Sequence, residues 1–216
     1  MSDKQIRADV LDELAFEPAV DADNIGVLVE HGIVTLTGHV RNCAEQAAAA
    51  ACAWRVKGVR ALVQDIEVRS DGQPLGDELL TERALNLLRW DSTIPRSVHL
   101  TVHQGWITLD GEVEWEYQRR NAEVDLRRLT GLAGMTNAIR IVPRTFVQHG
   151  TLKLLIGEAL RRNAQVEADR ITVDVDGGGN VRLSGCVSSL AERMAAERAA
   201  WSAPGVSAVS DQLTVE

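Results

Sequence analysis

Aromatic residues are scarce in this chain: five Trp, two Phe and one Tyr make up 4 % of 216 residues, so any core must be aliphatic and alanine-rich. Cysteine is scarcer still. Cys43, Cys52 and Cys186 form an odd, sparse set that excludes a disulfide framework and reads as packed thiols. Basic charge is in deficit, with 23 Lys and Arg against 31 Asp and Glu and a net charge of −8. That excludes sequence-independent nucleic-acid binding, which needs basic surface to release counterions from phosphates. Long apolar runs are missing, and nothing approaches the ~18 residues of a membrane span. The opening "MSDKQIRADVLDELAF" carries charge where a secretory signal has its apolar segment. With Met1 as the native start, the expected location is the cytoplasm. What is present, 45 % hydrophobic and 25 % charged residues, suits a globular chain.

One phrase is spelled three times. "GHVRNCAEQAAAAACAWRVKGV" opens at Gly38, "GEVEWEYQRRNAEVDLRRLTGL" at Gly111 and "GCVSSLAERMAAERAAWSAPGV" at Gly185. Each closes on a glycine 20 residues later, Gly58, Gly131 and Gly205, followed by Val or Leu. Apolar residues recur two and four places before each opening glycine, and again 24, 28 and 30 places after it. Shared offsets on this scale mark an internal repeat. The expected domains are 1–70, 77–143 and 149–216, with linkers near 69–77 and 142–150.

Within each copy, Val34, Leu36, Gly38 and Val40 alternate with polar residues, the period of a half-buried strand. A second alternating run precedes it (Ile25, Val27, Val29; Val98, Leu100, Val102; Ile171, Val173, Val175), across the turns "EHG", "HQG" and "DGGGN". These spell three hairpins. The glycine triplet is a turn and not a phosphate loop, because no helix with Lys-Ser/Thr follows. A helix comes next, capped by Asn42 in the first copy and by Ser188 or Ser189 in the third. Ala49, Ala53 and Val56, and their equivalents in the other copies, share its inner face. The Gly-Val pair is expected to end it. A last strand follows, and an amphipathic helix (Ile6, Val10, Leu14 in the first copy) precedes each hairpin. The fold class is α+β: three tandem small units of helix–strand–strand–helix–strand order. Units this small bury little alone, so packing together or homo-oligomerisation is expected.

The phrases "GIVTLTGHV", "GWITLDGEV" and "GNVRLSGCV", each followed by an alanine-bearing helix, Gly-Val or Gly-Leu and a short strand, resemble the BON domain. This is the bacterial osmotically-inducible-and-nodulation module. The resemblance implies a three-stranded sheet with two helices on one face, no catalytic residues and no cofactor. It implies a non-enzymatic binding module of transport-associated or osmotic-stress type, whose relatives associate with phospholipid or the cell envelope. The alternative is a cytoplasmic protein-interaction scaffold or a small-ion- or ligand-sensing module. Many relatives are periplasmic.

The search for chemistry yields little. His99 and His103 share a strand face without carboxylate or cysteine partners at ligand spacing, so no metal site is expected. Gly38, Gly111 and Gly185, like Gly58, Gly131 and Gly205, are structural; the first three are expected to admit a close-packed helix or a bulge. Two surface features stand out. Trp54 and Trp201 occupy equivalent helix positions and, with Trp90 and Trp115, are candidate anchors for a partner surface. Arg119, Arg120, Arg127 and Arg128 concentrate basic charge on one helix of the middle repeat, a candidate site for anionic lipid.

Overall fold

The computed structural model describes residues 2–69, 76–145 and 147–215. The core of the first expected linker (70–75), one residue of the second (Phe146) and the chain termini lie outside the described residues. Two compact units are delimited, one comprising Met1–Gly111 with Arg119–Ile139, the other Glu112–Gln118 with Arg140–Glu216.

In the first unit, α1 (Asp3–Phe16) buries Ile6, Val10 and Leu14, the one stripe its spacing provides. Strands β1 (Ile25–Glu30) and β2 (Ile33–Val40) form the hairpin, α2 (Cys43–Arg55) follows, and β3 (Ala61–Val68) lies parallel to β2. Sheet order is β1-β2-β3. Inward residues of β1 and β2 are buried, while Leu28 and Val63 on the other face are exposed. The same unit holds α3 (Asp77–Trp90), β4 (His99–His103), β5 (Trp106–Asp110) and β7 (Gly134–Asn137), again as hairpin plus parallel strand. In the second unit, β6 (Glu112–Val113) pairs parallel with β8 (Arg140–Ile141). There too lie α5 (His149–Arg162), β9 (Ile171–Val175), β10 (Asn180–Val187), α6 (Leu190–Trp201) and β11 (Ala208–Val215), in sheet order β11-β10-β9. Helix α4 (Glu116–Arg127) buries Ala122 and Leu126.

Small residues do bring the second helix of each copy close: Ala49, Ala53, Ala196 and Ala200 are fully buried. Two expectations about glycine are corrected. The helices end at Arg55, Arg127 and Trp201, before Gly58, Gly131 and Gly205. Val56, which caps α2, is already extended, so the helix stops without a left-handed glycine. Gly58, Gly131 and Gly205 do adopt positive φ, but in the turn beyond, beside the hairpin glycines Gly32, Gly105 and Gly179. The chain is pinned there by N–H donation from Arg60 to Gly32, Ala133 to Gly105 and Ser207 to Gly179. Gly38, Gly111 and Gly185 also have positive φ, and what approaches them is a backbone carbonyl rather than a helix. A β-carbon would collide with the carbonyl oxygens of Asn24, Ser97 and Arg170 respectively.

Candidate functional site

The second helix of each outer repeat is set by a capping device. Asn42 and Ser189 accept the N–H of Glu45 and Glu192, at 2.8 and 3.1 Å. The two glutamates, each only 4 % exposed, reach back. Glu45 accepts the N–H groups of Asp21 and Arg41, both at 2.8 Å. Glu192 accepts those of Glu167 and Ser188, both at 2.7 Å, and the Ser188 hydroxyl at 2.8 Å. Burial pushes the Glu192 carboxyl up, but these donors outweigh it and hold the group below its ordinary value. The middle repeat differs. Its cap position is Trp115 and its glutamate position Gln118, whose Oε1 accepts the N–H groups of Glu114 and Trp115 at 3.1 Å. The spacing Asn-x-x-Glu and Ser-x-x-Glu is legible as a capping box. Its reach to Asp21 and Glu167 is not, because that depends on the tertiary fold.

The four arginines of the candidate anion site are not equivalent. Arg120 and Arg128 are exposed and Arg119 is half-buried. Arg127 is engaged: it pairs with Glu123 at 2.6 Å, and Glu123 also accepts from Asn137 at 3.0 Å. Burial pushes the Glu123 carboxyl up, yet Arg127 and Asn137 more than offset that and hold it down. Arg127 is therefore removed from the candidate set, because its charge is already matched. The other acid on this stretch, Asp125, is hydrogen-bonded to Asp91. Partial burial and then the Asp91 charge push the Asp125 carboxyl up. Arg119, Arg120 and Arg128 form no ion pair among the described residues.

The tryptophans separate as well. Trp90, at the end of α3, is 88 % exposed. Trp54, Trp115 and Trp201 are half-buried; Trp201 packs on the third repeat's core, its ring N–H 3.4 Å from Glu197. Cys43 and Cys52 are buried, and burial pushes both thiols up, away from nucleophilic character. Cys186 is partly exposed beside Thr214. Among the described residues no cluster of three His, Cys, Asp or Glu could hold a metal ion. No helix among them is long and apolar enough to cross a membrane.

No curated protein matches the chain. Two solved structures are similar to the chain at a low level. One is CdsD, a structural protein of the type III secretion system of Chlamydia trachomatis, 13 % identical with a TM-score of 0.27, covering 98 % of this chain and 92 % of that one. The other is the C-terminal domain of CdsD from the same organism, also 13 % identical at 0.27, covering 100 % of both chains. A likeness that slight bears on neither fold detail nor function. The BON domain model matches at residues 2–70, 76–143 and 150–216, and BON domains are generally non-catalytic binding domains. The chain belongs to the BON domain family and consists of three BON domains in tandem.

Proposed function

We propose that this protein is a binding module whose middle repeat associates with anionic phospholipid surfaces. The observation that carries this reading is the charge matching around α4. Glu123 is paired with Arg127, whereas Arg119, Arg120 and Arg128 form no ion pair among the described residues, although Arg119 and Arg128 lie in the fields of Glu123 and Asp125. The middle repeat has a net charge of −1 over 77–148, with nine basic and ten acidic residues, against −2 over 149–216 (seven and nine) and −5 over 1–76 (seven and twelve). Arginine suits phosphate through its fixed fork of donors. Three such residues contribute about 3 kcal/mol near an anionic surface, which corresponds to a Kd weaker than ~1 mM. Trp90 supplies the apolar anchor that interfacial binding needs beyond charge.

Co-sedimentation with vesicles tests this reading. The full chain pellets with vesicles of mixed anionic and zwitterionic phospholipid at ~0.1 M salt, and far less at ~1 M, where the Debye length shrinks to ~3 Å. It stays in solution with purely zwitterionic vesicles. Equal binding to both, or binding to neither at low salt, overturns the reading and favours a protein-interaction scaffold.

A further inference from the structure

A groove of about 820 Å³ opens in the middle repeat between the end of α3 and the segment leading into β4. That volume lies within the range of small-ligand sites. Its apolar lining is Leu85, Leu88, Ile94, Pro95 and Val98. Its charged lining is two arginines, Arg89 and Arg96, and one acid, Asp91, with His99 at the start of β4 beside them. Neither arginine has an ion-pair partner among the described residues. The one acid in the lining, Asp91, accepts the N–H and hydroxyl of Thr93 at 2.7 Å and is also hydrogen-bonded to Asp125.

The groove lies where the middle copy departs locally from the repeat. In the outer copies, Leu14 and Ile25, and Leu160 and Ile171, lie eleven residues apart; the equivalent Leu88 and Val98 lie ten apart. The missing residue corresponds to Asp21 and Glu167, whose N–H groups the buried glutamates hold. The middle copy also has Gln118 where the outer copies have Glu45 and Glu192. The corner turn itself is kept: Ile25 and Ile171 donate to Ala22 and Ala168 at the 3₁₀ turns Ala22–Asn24 and Ala168–Arg170, and Val98 donates to Pro95 at 3.1 Å. The residue in the middle of each turn is acidic, Asp23 or Asp169, and its equivalent in the middle copy is Arg96. So this corner is acidic in the first repeat, mixed in the third, where Arg161, Arg162 and Arg170 accompany Glu167 and Asp169, and carries Arg89 and Arg96 beside apolar residues in the middle one.

We propose that this groove binds a single-chain amphiphile with a carboxylate head, a long-chain fatty acid anion. The apolar floor takes the chain, and the guanidinium forks of Arg89 and Arg96 take the carboxylate in paired hydrogen bonds. His99 adds a ring N–H donor at the rim. Two full positive charges outweigh the Asp91 carboxylate together with the roughly half-unit negative charge at the C-terminal end of α3. This site uses none of the α4 arginines and is separate from the lipid-surface reading.

The test uses the full chain and laurate below its micelle concentration, followed by amide NMR and titration calorimetry. Binding is saturable, and the amide shifts concentrate between residues 85 and 99. The Arg89→Ser/Arg96→Ser variant binds laurate at least tenfold more weakly at unchanged thermal stability, and 1-dodecanol binds wild type at least tenfold more weakly than laurate does. Should the double variant unfold, Leu85→Glu, at a partly exposed position, gives the same loss. A chain carrying Arg119→Ala, Arg120→Ala and Arg128→Ala keeps laurate binding intact. No saturable binding, equal affinity for dodecanol, undiminished binding by the groove variants, or loss of binding in the α4 variant overturns the proposal.

Discussion

The carboxylate of Glu45 accepts the backbone N–H of Asp21 at 2.8 Å, tying the start of α2 to the loop that precedes β1. A second oxygen accepts the N–H of Arg41, so one buried carboxylate satisfies two backbone donors at partly buried positions. Glu45→Ala removes both bonds. The expected loss is about 1.5–3 kcal/mol, the range for hydrogen bonds to a charged group. Urea unfolding of the variant checks this; a midpoint equal to wild type contradicts it.

Glu192 makes the same arrangement pH-sensitive. Its folded-state pKa lies below the ordinary value, since the donors from Glu167 and Ser188 outweigh the effect of burial. A carboxyl with a lowered folded pKa contributes stability above its unfolded value of ~4.3, and loses it as pH falls through the folded pKa. Stability of the chain therefore declines on acidification below about pH 4.5, and Glu192→Gln makes that decline shallower. Thermal melts from pH 7 to pH 3 read the slope. An unchanged slope in the variant removes Glu192 from the account.

Two hairpin turns are held from outside. Asp3 accepts the N–H groups of His31 and Gly32 at 2.8 and 2.9 Å, and Asp77 those of Gln104 and Gly105, both at 2.8 Å. His31 and Gln104 have positive φ, which costs a non-glycine residue, and the carboxylates offset that cost. Asp77→Ala is expected to speed amide exchange at Gln104 and Gly105 while leaving the buried strand β5 protected. Equal exchange in wild type and variant contradicts the clamp.

Glycine substitutions should split by sign. Gly38→Ala places a β-carbon against the Asn24 carbonyl at a backbone φ of +113°, and costs of order 1–3 kcal/mol or more. Gly157, in the middle of α5, has nothing within 4 Å of an added β-carbon. Gly157→Ala therefore stabilises by roughly 0.5–1 kcal/mol. Chemical unfolding of the two variants side by side checks both directions; a neutral Gly38→Ala removes the steric argument.

Periodicity alone carried the helices, hairpins and third strands, because Val34, Leu36 and Val40, or Ile6, Val10 and Leu14, must share a face to be buried together. What periodicity does not encode is which distant donor a side chain finds. The pairing of Arg127 with Glu123, four residues away, is legible in the spacing, but Asn137, which also donates to Glu123 at 3.0 Å, is not. The role of Gly38 is visible as a conformational need, but its partner, Asn24, is adjacent only in three dimensions. The groove beside α3 lies where one residue is missing, a signal present in the spacing of Leu88 and Val98 but meaningful only once the buried glutamates show what that residue does in the outer repeats.

The central claim, that the middle repeat rather than overall charge directs the protein to anionic surfaces, is tested by comparing two variants of equal charge. One carries Arg119→Ala, Arg120→Ala and Arg128→Ala; the other carries Lys57→Ala, Arg60→Ala and Arg161→Ala, exposed cations of the outer repeats. The measurement is the fraction pelleted with anionic vesicles at ~0.1 M salt. The account predicts that the first variant stays in solution and the second pellets like wild type. Equal loss in both, or loss confined to the second, contradicts it.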